Sequence, residues 1–379
     1  MLTPQFGAIT IEKSDSEWAV WPEKGRGFVE IAKKRTRRWP VATAVAALLL
    51  ALLLFGRWYE ERRASSSSTN FLMNTFVSQT VYGPHREEAV AAVVERLRQF
   101  ESVYSLYKDS SQVEAINRNA GVAPVEVDAE VFTLIARAKA LSEESGGAFD
   151  ITVAPLSLLW DITGKNPRVP AQGEIDQALA LVDYRDILLD EERGTVMLRR
   201  PGQKLDLGAI AKGYACAVAG QVYRQQGVES AVLSIGGNVY TVGHQPGGKP
   251  FDIGVSAPVK DRTELLGTLH ADGMVISTSG AYERYFEVDG RRYHHIFDPA
   301  TGWPAQSDLL SVTVISQDGA LADAMSTALF VEGLDGIKEN LDREEFSLLA
   351  VDATGAVYLS DNIRDDFVLT DENYHLADA

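Results

Sequence analysis

The sequence predicts an α+β fold, carried by one mixed α/β domain over residues 70–379 and preceded by a single N-terminal transmembrane helix. Three observations predict it. Helix-period and strand-period runs mingle along residues 70–379 without a regular β-α alternation, and no repeat or low-complexity tract divides that length. No linker-like stretch interrupts it either, so one α+β domain is the simplest account. Near the N-terminus, one uncharged apolar run from Trp39 to Gly56 stands apart from everything else.

That run is just long enough to cross a bilayer, for which about 20 apolar residues are needed and roughly 17 to 25 suffice. Trp58 and Tyr59 stand at its far edge, and Lys33, Lys34, Arg35, Arg37 and Arg38 stand just before it. A basic block ahead of a span is usually retained in the cytoplasm, so residues 1–38 read as a cytoplasmic tail and residues 39–56 as the anchor. The chain beyond then faces the non-cytoplasmic, periplasmic side of the inner membrane. A cleaved signal peptide is the competing reading, but Arg57-Trp58-Tyr59-Glu60-Glu61-Arg62-Arg63 offers no small-x-small exit site. Residues 57–69, with the run Ala64-Ser65-Ser66-Ser67-Ser68, read as a flexible linker.

Charge separates the segments further. The whole chain carries -17, yet residues 64–379 hold 25 basic and 46 acidic side chains, a net of -21. So acidic a domain repels a phosphate backbone, which argues against nucleic acid as a partner. The single cysteine, Cys216, excludes an internal disulfide framework and any cysteine-rich metal site.

Along the domain, Thr75–Tyr82 reads as a strand. Val90, Val93, Val94, Leu97, Phe100 and Tyr104 then recur at helical spacing. A second helix is expected from about Asp128 to Glu144, ended by Gly146-Gly147. Residues 170–183 suggest a short helix, 186–198 a hairpin, 209–225 a helix, 230–314 mostly strands, and 320–331 a final helix before the last strands.

Four segments look too constrained for ordinary core. In Ser145–Leu156 the glycine pair lets a ligand approach main-chain N–H groups, with Asp150 following as an acceptor; a helix cap followed by a buried strand explains the same residues. In Leu205–Tyr214 a strand end meets a helix start, where unpaired N–H groups and Lys212 would hold an anionic phosphate. Asp206 also suits a plain helix cap, and the glycine spacing fits neither a phosphate loop nor a dinucleotide fingerprint. The third segment joins Thr278–Tyr282 to Tyr293–Pro304. Its adjacent His294 and His295 point to opposite faces if they lie in a strand, so only one can serve a given pocket. In Gly319–Phe330, Asp323 and Thr327 share a helix face and present oxygen ligands of the kind magnesium takes.

Taken together and in this order, these segments closely resemble the ApbE-type FAD:protein FMN transferase family, over about Phe71 to Leu359. The resemblance implies an α+β domain that binds FAD with Mg2+ at its pyrophosphate. It implies transfer of the FMN half to a Ser or Thr hydroxyl of a client protein carrying a flavinylation motif, with release of AMP. Family positions for FAD carry over to Met73, Tyr107, Ala148, Phe149, Asp150, Asp206, Lys212 and Ile296. Metal positions carry over to Ala209, through its carbonyl, and to Asp323 and Thr327. His295, in a His-Ile-x-Asp-Pro-x-Thr-Gly pattern, becomes the candidate for the hydroxyl proton, with an ordinary pKa near 6.5 suited to neutral pH.

Two departures stand out. The family's Met-Gly-Thr is here Met73-Asn74-Thr75, and Cys216 replaces an aliphatic residue. Two rival activities use the same site: an FAD pyrophosphatase, in which water attacks, and a non-catalytic flavin carrier or scaffold. The latter would be expected to lack Asp323, Thr327 or His295, and all three are present.

Overall fold

The computed structural model describes residues 39–259 and 264–377, together with the short strands Lys13–Ser14 and Glu17–Trp18, which pair antiparallel. The remainder of the expected cytoplasmic tail lies outside the described residues. The chain divides into two units, residues 1–56 and 57–379.

In the first unit, helix α1 (Trp39–Arg63) begins, and it runs on unbroken past Gly56 to Arg63. From Val41 onward it is long and apolar enough to cross a membrane, and its apolar side chains are uncovered along the segment. The second unit is built on a nine-stranded sheet. Its strands, numbered in chain order, are β1 (Ser65–Leu72), β2 (Thr75–Tyr82), β3 (Ser230–Ile235), β4 (Asn238–Val242), β5 (Val275–Gly280), β6 (Leu309–Ser316), β7 (Ser347–Asp352), β8 (Ala356–Leu359) and β9 (His375–Leu376). Their order in the sheet is their order in the chain, with every pair antiparallel except β8 with β9. The mixed α/β domain expected from the sequence is therefore present.

One face of the sheet is covered by helices, of which α2 (Arg86–Tyr104), α3 (Ala129–Glu144), α4 (Ala211–Gln225) and α5 (Gly319–Asn340) matter here. Val90, Val93, Leu97 and Phe100 of α2 enter the same core as Val77, Val81, Ala231 and Leu233. The period of 3.6 meets the period of 2, and both apolar faces leave water. Within that core, buried Gln79 of β2 is bonded at both ends. Its Nε2 donates to the Val90 carbonyl at 3.1 Å, and its Oε1 accepts from the Tyr223 hydroxyl at 2.8 Å, joining β2 to α2 and α4. The other face, over β5 to β8, is covered by a three-stranded sheet of Phe251–Ser256, Leu265–Ala271 and Phe367–Leu369.

The expected linker is corrected. Residues 57–63 are helical, one residue follows, and the serine run is strand β1, paired along its whole length with β2. Serine tracts suit a solvated spacer by composition, but here their hydroxyls bond across the ladder: Ser67 Oγ lies 2.9 Å from Thr80 Oγ1, and Thr69 Oγ1 lies 3.1 Å from Ser78 Oγ. Such cross-strand hydroxyl pairs stabilise a sheet that composition alone would not announce. The ordered unit thus starts ahead of residue 70. Segment Ser145–Leu156 also differs from its buried-strand alternative. Gly146 and Gly147 adopt positive φ as the cap of α3, and the chain then turns into the short helix Ala154–Trp160.

Met73 and Asn74, at φ 53° and 56°, form the two-residue turn between β1 and β2. Two consecutive left-handed residues match the twist of a hairpin, and asparagine bears that conformation better than most side chains. The departure from Met-Gly-Thr is therefore conformationally tolerable. Asn74→Gly should change urea-unfolding stability by less than about 1 kcal/mol, whereas Asn74→Val should lower it by roughly 1–2 kcal/mol.

Candidate functional site

The centre of the site is the place where α4 and α5 start. A Cβ added to Gly213 would lie 1.9 Å from the Gly319 carbonyl oxygen, and one added to Gly319 would lie 2.2 Å from that of Gly213. Only glycines permit this approach, and it lets the Gly213 N–H donate to Asp323 Oδ2 at 2.9 Å. As a first-turn residue of α4, Gly213 has an N–H that the helix itself leaves unpaired, and Asp323 of the neighbouring helix caps it. Lys212 Nζ donates to the Gly208 carbonyl at 2.5 Å and stands 3.7 Å from Asp323 Oδ2. Asp206 Oδ1 accepts from the Gly208 N–H at 2.8 Å and so braces the turn entering α4.

Asp323 is buried, and Thr327, one turn along α5, lies 3.2 Å from Ser279 Oγ. Ser279 in turn lies 2.9 Å from Ser326 Oγ, so β5 and α5 are joined by hydroxyls behind the carboxylate. Among the described residues there is no cluster of three or more His, Cys, Asp or Glu able to hold a metal. What gathers is one carboxylate and one hydroxyl, with the Ala209 carbonyl just ahead of the start of α4. Such a set suits a hard divalent cation that keeps waters and substrate phosphates as its remaining ligands, and does not suit zinc or copper.

The two histidines play different parts. His294 Nε2 is bonded to the Ala305 carbonyl at 2.9 Å, and its Nδ1 accepts from the Ile296 N–H at 3.3 Å, so both ring nitrogens are used structurally. His295 lies just beyond the strand Arg291–His294. Its backbone N–H donates to the Arg284 carbonyl at 3.1 Å, and its Nδ1 lies 3.3 Å from the same oxygen. A carbonyl can only accept, so Nδ1 carries the proton and Nε2 remains the acceptor. Burial pushes the His295 pKa down to about 3, helped by the positive charges of Arg284 and Lys212. The ordinary value expected from sequence is thus corrected: the ring is neutral throughout the physiological range and a weak base until a negative charge arrives beside it.

Arg284 joins this histidine to the rim. Its guanidinium reaches the Asn74 carbonyl at 3.5 Å, and Asn74, Ile162, Thr163, Glu283, Arg284 and Tyr285 line a cavity of about 350 Å³. Tyr107, largely exposed, is hydrogen-bonded to Thr163 and lies within electrostatic reach of Asp206 and Arg284. Met73 stands in the adjoining turn, partly buried against the core.

The remaining candidates play quieter parts. Phe149 and Ile296 are buried in the core, with Ala148 packed against it. The Asp150 carboxylate is engaged by its own loop: Oδ1 accepts from the Thr152 N–H and hydroxyl, each at 2.7 Å, and Oδ2 from the Tyr184 N–H at 2.9 Å. Burial raises its pKa, those bonds opposing the shift. Its side chain therefore shapes the loop after Gly147. Cys216 is fully buried and its thiol pKa is pushed up by burial, which makes it an inert core residue. A larger cleft, about 880 Å³, lies among Arg57–Arg63, Gly83–His85 and Gly243–Gly248, and no candidate residue lines it.

Sequence reasoning missed Arg284, Thr163, Ser279 and Gly319 as site residues. Ser279 and Gly319 sat inside segments already singled out, and the hydroxyls facing one another across β5 and α5 carry no spacing signal. Arg284 lies between two such segments, and no local motif marks it.

The model of the ApbE family matches residues 73–350. An FAD:protein FMN transferase of Klebsiella pneumoniae is 39% identical over 296 residues, covering 78% of this chain and 92% of the relative. Another from Treponema pallidum is 35% identical over 286 residues, covering 71% and 79%. Among solved structures, the ApbE protein of Thermotoga maritima superposes with a TM-score of 0.74 at 37% identity, covering 80% of this chain and 99% of that one. The Pseudomonas stutzeri flavinyl transferase ApbE gives 0.71 at 31%, covering 80% and 97%.

Two outcomes follow from the geometry. Gly213→Ala should cost roughly 1–3 kcal/mol of stability, as overpacked sites do, read as a lower urea midpoint. For His295, the folded pKa lies below the unfolded value of 6.5. Its stabilising contribution is therefore complete above about pH 6.5 and is lost as pH falls toward 3. Urea midpoints measured across that window should fall more steeply for the wild type than for His295→Gln.

Proposed function

We propose that this chain, which belongs to the ApbE family, is a membrane-anchored flavin transferase that moves the FMN moiety of FAD onto a Ser or Thr hydroxyl of a client protein. The observation that carries the reading is the Lys212–Asp323 pair, with Lys212 within electrostatic reach of a neutral His295, in a fold shared with named flavin transferases.

In the reaction, the client Oγ forms a bond to the phosphorus of the FMN half. The bond from that phosphorus to the bridging oxygen breaks, and the electron pair leaves with AMP. The hydroxyl proton passes to His295 Nε2, whose other nitrogen is held by the Arg284 carbonyl. Lys212 and Arg284 lie where they can offset the pyrophosphate charge, which matters in a domain at -21. The arriving anion also weakens the repulsion that depresses the His295 pKa, so substrate binding strengthens the base.

Asp323, Thr327 and the Ala209 carbonyl would hold Mg2+, which would neutralise phosphate charge when bound. Met73, Tyr107 and the 146–150 loop would receive the flavin nucleotide. Helix α1 would span the inner membrane, with the basic block Lys33–Arg38 retained in the cytoplasm and the transferase on the periplasmic side.

The test is incubation of the purified full chain with FAD and Mg2+, with and without a candidate acceptor, followed by mass spectrometry. An acceptor heavier by one FMN, with AMP released, is the expected outcome. Free FMN with an unmodified acceptor would mean hydrolysis, and intact FAD in every tube would overturn the enzymatic reading. His295→Ala should slow transfer by roughly 10²- to 10⁴-fold, the usual loss on removing a general base. Asp323→Asn should weaken Mg2+ binding, seen as a higher half-saturating concentration.

A further inference from the structure

The two edges of the main sheet are treated differently. At one end, β9 is only two residues long, a blunt edge of the kind that discourages further pairing. At the other end, β1 presents eight residues without a proline, a lysine or a bulge. Three of the usual protections are thus missing from the strand itself.

The register fixes which groups that edge offers. The Gly83 N–H donates to the Ala64 carbonyl at 3.0 Å, so residue 64 is bonded toward β2. Antiparallel pairing alternates, which turns the backbone groups of Ser66, Ser68, Asn70 and Leu72 inward to the ladder. Those of Ser65, Ser67, Thr69 and Phe71 face outward. The side chains of the same four residues are exposed as well. Beside the last of them, Phe71 and Phe76 pack edge to face with ring centroids 5.7 Å apart, yet remain 64% and 68% exposed. Large aromatics left in water next to an open strand edge mark a surface that something covers.

The position of this edge says what covers it. β1 ends in the Met73–Asn74 turn, Asn74 is bonded to Arg284, and the Arg284 carbonyl holds His295. From the last outward amide, at Phe71, the turn is two residues on, about 7 Å at strand spacing. A segment laid along β1 would therefore be led to the proton acceptor.

We propose that the client protein docks its acceptor segment as an added strand on the open edge of β1, with an apolar side chain seated on Phe71 and Phe76 and the Ser or Thr hydroxyl carried past the turn to His295. Main-chain bonds to residues 65, 67, 69 and 71 supply affinity independent of sequence, and the aromatic pair supplies selectivity. The partner is thus a protein segment that is extended when bound. This rests on the reading that the acceptor is a protein hydroxyl.

The experiment uses proline to remove one outward N–H at a time. At residue 67 or 69 a proline leaves the β1–β2 ladder intact, since those amides do not bond to β2. Full-length Ser67→Pro, Thr69→Pro and the control Thr69→Val are returned to host cells lacking the native copy. Covalent flavin is read by in-gel fluorescence of denatured proteins, and FAD binding by flavin fluorescence of each purified full chain in detergent. The expected result is FAD binding within twofold of wild type for all three, with covalent flavin at least tenfold lower for the two prolines and unchanged for Thr69→Val. The surface pair Phe71→Ser with Phe76→Ser, which leaves the backbone untouched, should lower covalent flavin at least fivefold at unchanged FAD binding.

Wild-type flavinylation by the proline and serine variants would overturn the proposal. So would an equal loss of FAD binding and transfer in the serine pair, which would assign the strand to the cofactor site. A wild-type dimer that becomes monomeric in the proline variants would show a second copy of this chain on the edge, and also overturns it. If the wild type itself yields no covalently flavinylated protein, the protein-acceptor reading fails, and that is distinguishable from failure of the docking edge alone.

Discussion

At Gly213 and Gly319 two helices approach until a methyl group on either would overlap a carbonyl of the other. Much of the site's organisation depends on that contact. It brings the N–H of Gly213 to Asp323 and places Lys212 beside the buried carboxylate. A charged group in a buried position needs fixed partners, and here they come from main chain and one lysine, without a second acidic residue. The site can therefore be poor in carboxylates and still organise charge.

The histidine pair shows how the same economy works on the other side. The neighbouring residues His294, which ends its strand, and His295, which lies just beyond it, are divided into a structural group with both nitrogens bonded and a group with one nitrogen free for chemistry. The Arg284 carbonyl selects the tautomer and its guanidinium helps to keep the ring neutral. One residue thus sets both the geometry and the protonation of the base, through different atoms.

Legibility in the sequence followed locality. The helix at Val90–Tyr104 and the strand at Thr75–Tyr82 were readable because their apolar residues repeat at the period of the element that buries them. Asp323 and Thr327 were readable as a pair because four residues make one helical turn. Arg284 was not, because its role arises from a contact with Asn74, 210 positions away. The serine run misled for a related reason. Its composition speaks for solvation, while its partners are Ser78 and Thr80 on the next strand, whose hydroxyls take the place of water. The His295 environment was equally hidden, since the charges that move its pKa belong to distant segments.

The continuity of α1 with β1 has a consequence for how this chain can vary. Only Ala64 separates the end of the helix at Arg63 from the strand, and eight strand residues then lead to the turn at Met73. The strand itself is regular backbone, about 26 Å long at strand spacing. It also has a phase. Adding or deleting one residue would rotate every later side chain to the opposite face, whereas a change of two would preserve the facing and alter only the length. Relatives whose first strand differs in length should therefore differ by even steps.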